Sequence, residues 1–171
     1  MVVRVGPPAY PLAMTSPPTF KDEHQALQEL ARELAVLRQH NLQFKEGDPQ
    51  HKLLMFAEAA VVCMTMEHFV RIVLGGTAPA DATLFNLLQM AVSRGSLKVP
   101  WDDQQDGIKR IVAVRNSLLH GNYAQAARDA GSASVAEYFR TQFAGEVETM
   151  TKVTDIMMRQ IDPATGKPYA S

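Results

Sequence analysis

Arg115, Asn116 and His120 are the residues of this chain whose types and spacing suit chemistry, in the run Val114-Arg115-Asn116-Ser117-Leu118-Leu119-His120-Gly121-Asn122-Tyr123. On a helix Asn116 and His120, four apart, share a face, while Arg115 stands about 100° round with a stem long enough to reach the same spot. A cation, an amide and an imidazole then converge. A guanidinium offers a planar fork to phosphate oxygens and an imidazole moves a proton near neutral pH, so the trio suits a phosphate better than an apolar ligand. The same spacing has a plainer reading. Basic residues in a last turn offset the negative end of the helix macrodipole and bond its free carbonyls, with Gly121 closing the helix. The two are compatible, because that dipole also favours the imidazolium, a proton donor.

The elements that must carry these residues are helical. From Lys21 to about Asn41, leucines 27, 30, 34 and 37 recur at helical period. Gly47-Asp48-Pro49 predicts the next helix start, with Asp48 as cap and Pro49 at the first position, and Gly75-Gly76 ends it after Leu74. Apolar residues surround this second helix almost completely, which predicts a central place in a bundle. Asp81 is expected to cap a short third helix through Leu84, Leu87, Leu88 and Ala91. Asp102 and Gln105 resemble a capping box opening a fourth, which ends in the Arg115 run. Ser134 and Glu137 open a long fifth helix with Phe139, Phe143, Val147, Met150, Met157 and Ile161 on one stripe. Strand signals are scarce. The expectation is an all-α, mainly antiparallel bundle of about five helices over residues 20–162, preceded by a proline-rich arm (1–19) and followed by a flexible tail (163–171).

Composition narrows the function. A net charge of −1 and a pI near 6.5 exclude a surface that is cationic throughout, so any phosphate-binding surface must be local. The one cysteine, Cys63, excludes an internal disulfide and fits a reducing compartment, with the cytoplasm as the expected location. Prolines 7, 8, 11, 17 and 18 break any signal-peptide-like run. Leu53 to Leu74 is strongly apolar but carries Glu58, Glu67, His68 and Arg71, so it reads as a bundle helix and no membrane partner is expected.

Supporting groups stand on the second helix. Glu67 and Arg71, four apart, can pair with each other, or Glu67 can turn inward to meet Arg115. Glu58 is half a turn out of phase with Glu67, so the two form no carboxylate pair. His68 lacks any metal-binding pattern around it, and no metal or cofactor is expected. His24, His40 and His51 read as solvated, Cys63 as a buried structural thiol, and the methionines as core or subunit-interface filler.

Arg115-Asn116-Ser117-Leu118-Leu119-His120 resembles the Arg-x4-6-His signature of HEPN domains (higher eukaryotes and prokaryotes nucleotide-binding), in which a polar residue commonly follows the Arg. The resemblance spans roughly residues 20 to 162. It implies an all-α bundle with the motif late in a helix, and a metal-independent endoribonuclease, a toxin or phage-defence component, pairing two motifs across a homodimer cleft. It further implies His120 as general acid or base in attack by an RNA 2′-hydroxyl on its neighbouring phosphate, which leaves a 2′,3′-cyclic end. Arg115 would stabilise phosphoryl charge, Asn116 would orient the histidine or hold phosphate, and Glu67 would support the motif. RNA or nucleotide, a second copy and an antitoxin or other protein are the implied partners. One toxin subgroup carries Arg-x4-His-x-Tyr with a tyrosine modified by its antitoxin. Here Tyr123 stands three residues after His120, off that spacing, and a tyrosine pinning the following loop is favoured. The alternative within the family is a non-catalytic module that binds nucleotide, RNA or a protein partner. Outside it stands a structural helical dimer in which the motif merely ends a helix.

Overall fold

The computed structural model describes residues 20–45, 48–119, 121–162, 165 and 167–169, with nothing described of the side chains of residues 20–24 and 76. The expected N-terminal arm and His120 lie outside the described residues. The chain is an all-α helical bundle: α1 (Phe20–Asn41), α2 (Pro49–Leu74), a 3-10 turn (Gly75–Thr77), α3 (Leu84–Ser93), α4 (Gln104–Leu119) and α5 (Tyr123–Asp129). α6 (Val135–Tyr138), a π-helical turn (Phe139–Phe143) and α7 (Ala144–Met158) then follow in helical backbone without a break. No strand occurs among the described residues. One antiparallel bridge joins Ile161 to Pro168, so residues 167–169 fold back on the end of α7 rather than trailing free.

α2 is the centre, packed by α1, α3, α4 and α7. By length and composition it could cross a membrane, and half of its most apolar stretch is buried inside the bundle. Met55, Ala59, Val62, Cys63, Met66, Phe69 and Val70 are buried along it. Its apolar girdle is nonetheless incomplete, since Leu53 is 69% and Met64 59% exposed. Around α2 close Leu27 and Leu34 of α1, the leucines of α3, Ile108, Ile111 and Leu118 of α4, and Phe143, Val147, Met150 and Met157 of α7. Each such buried side chain contributes about 1.5–3 kcal/mol of transfer free energy.

The helix starts depart from the expected caps by small steps. Asp48 precedes α2 but turns away from its amides and accepts from the Lys45 N–H at 2.9 Å. Thr83, not Asp81, caps α3 by accepting from Asn86. Asp103, not Asp102, caps α4, taking the N–H groups of Gln105 and Asp106. In α3 and α4 the capping oxygen belongs to the residue immediately before the first helical turn, from which it reaches the free amides, while α2 has no side-chain cap. Ser134 caps α6 as expected, while Glu137 reaches back one residue further, to Ala133.

Candidate functional site

α4 is seated by an unusually close contact. A Cβ at Gly107 would stand 2.6 Å from Val99 Cγ2 and 2.8 Å from Trp101 Cε3, so only glycine lets the helix lie against that bend. Gln104 braces the bend by donating to the Val99 carbonyl and accepting from its N–H. Gly107, Ile108, Ile111 and Leu118 are buried, which fixes the rotation of α4. Arg115 lies four residues after Ile111 and three before Leu118 and therefore on the inward stripe. Its stem is covered, its side chain is 23% exposed, and its guanidinium emerges against α2. Gly121, at φ +65°, takes the left-handed conformation just past the end of the helix, a geometry that favours glycine.

Three consecutive residues of α4 then meet three environments. The Arg115 guanidinium donates to Glu67 of α2 at 3.4 Å and to the side-chain oxygen of Asn116 at 3.3 Å. Asn116 itself is exposed, and so brings an amide to the solvent side of that guanidinium. Ser117 points toward α6 and α7, where its hydroxyl and that of the fully buried Tyr138 lie 2.9 Å apart and both donate to the Glu146 carboxylate. Burial and the Glu146 carboxylate push the Tyr138 hydroxyl far above its ordinary range, so it stays a proton-bearing donor.

The partners of Glu67 are both of those the spacing allowed. One carboxylate oxygen meets Arg71 at 3.3 Å and the other meets Arg115 at 3.4 Å. Arg71 is fixed in addition by the carbonyls of Pro79 and Ala82 at 2.9 and 3.0 Å. Two guanidiniums therefore share one carboxylate and leave the cluster with one net positive charge. The 3.4 Å contact is longer than the roughly 2.7–2.9 Å of a tight charge-assisted hydrogen bond, so Glu67 holds Arg115 loosely.

Cys63 lies one turn before Glu67 on α2. It is 2% exposed and burial pushes its thiol up to about 12, only partly offset by Arg115, which makes it a packing group and not a nucleophile. Tyr123, first in α5, is half-buried in a cluster with Phe56, Phe139 and Phe143, and its hydroxyl donates to the Leu118 carbonyl at 3.4 Å. It ties the α4–α5 corner to the core, and burial raises its pKa above the ordinary tyrosine value. Among the described residues no group of three His, Cys, Asp or Glu side chains could hold a metal ion.

The structure thus joins Arg115, Asn116 and Glu67, and places Tyr123 in the aromatic layer behind the corner. Sequence reasoning missed Ser117 with Tyr138 and Glu146. Its one trace is an acid, Glu146, directly beside the apolar stripe of Phe143, Val147 and Met150. Compared with known family models, curated proteins and solved structures, the chain matches none.

Proposed function

We propose that the protein is a metal-independent endoribonuclease of HEPN type, working as a homodimer in a toxin or phage-defence setting. The observation that supports this most is the Arg115–Glu67–Arg71 cluster beside Asn116: a positioned guanidinium with net positive charge and a solvent-facing amide near the end of α4. In this reading His120 takes the proton from an RNA 2′-hydroxyl as the O2′ attacks the adjacent phosphorus. The P–O5′ bond breaks, and the departing 5′-oxygen receives a proton from the His120 of a second copy. Arg115 stabilises the charge growing on the non-bridging oxygens, preorganised by Glu67, and Asn116 holds phosphate or orients the imidazole. Purified protein with EDTA present is expected to cut RNA and leave 2′,3′-cyclic phosphate ends. Linear 3′-phosphates formed at once, or cleavage that requires added Mg2+, would contradict this chemistry.

A second reading, a non-catalytic module binding RNA, nucleotide or a protein partner through Arg115, is favoured by the fact that Glu67 already meets part of the guanidinium's charge. It predicts RNA binding that weakens in Arg115→Ala, with no turnover in either protein.

A further inference from the structure

A second cationic surface lies where the first turn of α2 faces the π turn. His51, Lys52 and Met55 of α2 and Ala136, Phe139 and Arg140 are the main walls of a cleft of about 670 Å3. That volume falls within the roughly 300–1,000 Å3 of small-molecule sites. Phe139 and Met55 form an apolar floor, 9% and 7% exposed, while Lys52 and Arg140 are exposed at the rim. Among the described residues no acidic side chain lines it, and neither Lys52 nor Arg140 forms an ion pair. His51 adds a side chain whose Nδ1 is buried without a hydrogen-bond partner. Asp48, just before the first turn of α2, accepts from the Lys45 N–H at 2.9 Å, and Glu58, seven residues after His51 and within its electrostatic reach, accepts from Asn41 at 3.2 Å and meets Arg38 at 3.9 Å. The backbone at the cleft is a π-helical turn, a form that helices adopt frequently at functional sites.

We propose that this cleft binds a phosphate monoester with a flat apolar body, the class of nucleoside monophosphates. The cleft stands apart from Arg115, with the aromatic layer of Tyr123 and Phe56 beside Phe139, and the proposal does not rest on the nuclease reading. Lys52 and Arg140 supply two formal positive charges against the near-dianion of a phosphate monoester, and the Arg140 fork matches two of its oxygens. His51 adds a polar side chain to the same wall. Lys52 now sits over the Phe139 ring at 4.7 Å. An exposed cation–π contact is weak, so a phosphate draws the ammonium outward and frees the ring face for the flat body.

The test is calorimetric titration of the full chain with each of the four nucleoside 5′-monophosphates, the four nucleosides, inorganic phosphate and a short single-stranded RNA. At least one monophosphate is expected to bind about tenfold or more tightly than both its nucleoside and inorganic phosphate, and the Lys52→Ala/Arg140→Ala protein to lose about tenfold or more. Both residues are exposed, so this variant should keep its helical circular dichroism; if it does not, Lys52→Gln and Arg140→Gln singly carry the same expectation. In an Arg115→Ala background, which removes phosphate binding at that site, the loss of about tenfold or more on replacing Lys52 and Arg140 is expected to persist, which keeps failure here distinct from failure of the nuclease reading. RNA that competes for the cleft more tightly than a monophosphate identifies the ligand as one nucleotide of a strand, and weaker competition identifies a free nucleotide. Absence of monophosphate binding at millimolar concentration, binding equal to that of nucleoside or phosphate, or binding indifferent to Lys52 and Arg140 overturns the proposal.

Discussion

Glu67 on α2 and Arg115 on α4 meet at 3.4 Å, although 48 residues separate them in the chain. The contact fixes the direction of the guanidinium while Arg71 shares the same carboxylate. Replacement of Glu67 by Gln leaves one weaker acceptor and one more net positive charge. Because both side chains are partly exposed, stability should change by less than about 1 kcal/mol. RNA should bind at least as tightly, while the maximal cleavage rate falls about tenfold because Arg115 is no longer aimed. Single-turnover kinetics separates the two effects, and an unchanged maximal rate would remove Glu67 from the site.

Glu58 gives a pH signature. Burial pushes its carboxyl above 4.5, with Asn41, Arg38 and His51 offsetting part of the rise. Below 4.5 the folded and unfolded chains both hold the proton. Above it the unfolded chain ionises first, so stability that is full in acid is lost as pH rises through the folded-state value. Glu58→Gln should therefore lack this loss, and the stability difference between variant and wild type should shift in the variant's favour from pH 4.5 upward. Urea unfolding of both proteins across that interval measures it. A difference that stays constant with pH contradicts the assignment.

How much of this was legible in the residues depends on how local the cause was. Pro49 and Gly75 bound α2 because proline and glycine act on their own backbone, and Ser134 caps α6 for a similarly local reason. The choice of Asp103 over Asp102, or Thr83 over Asp81, follows the path of the preceding loop, which adjacent residues do not encode. Glu67 offered two partners by spacing, and its two oxygens take both. His51, expected in solvent, is half-covered and lines a cleft with residues of the π turn, remote in sequence. Ser117 was part of the motif only as a letter. Its partners Tyr138 and Glu146 become visible once α4 and α7 are packed.

Gly107 pits helix propensity against packing. Alanine gains about 1 kcal/mol of intrinsic helix preference over glycine. Its Cβ, however, must displace Val99 and Trp101 from 2.6 and 2.8 Å, and Val99 is only 3% exposed. Overpacking of this kind costs about 1–3 kcal/mol, so Gly107→Ala should be less stable and should shift the end of α4 that carries Arg115. Thermal unfolding reads the first effect directly. A variant as stable as wild type, or more so, would show that the bend yields freely.

Ser117 and Tyr138 share Glu146, so their contributions should not add. Ser117→Ala and Tyr138→Phe should each cost about 1 kcal/mol, and the double variant should fall short of the sum by about 0.5 kcal/mol or more. Chemical denaturation of the four proteins in the cycle gives the coupling. Strict additivity would mean that the two hydroxyls act independently.

The central claim is that Arg115 and His120 cut RNA without a metal ion. Its most direct measurement is the rate of RNA cleavage in excess EDTA by wild type, Arg115→Ala and His120→Ala, with circular dichroism confirming that all three are folded. Cleavage by wild type, with losses of at least about a hundredfold in each variant, is the expected result. Equal rates in the three proteins, or a folded wild type that leaves varied RNAs intact, would contradict it.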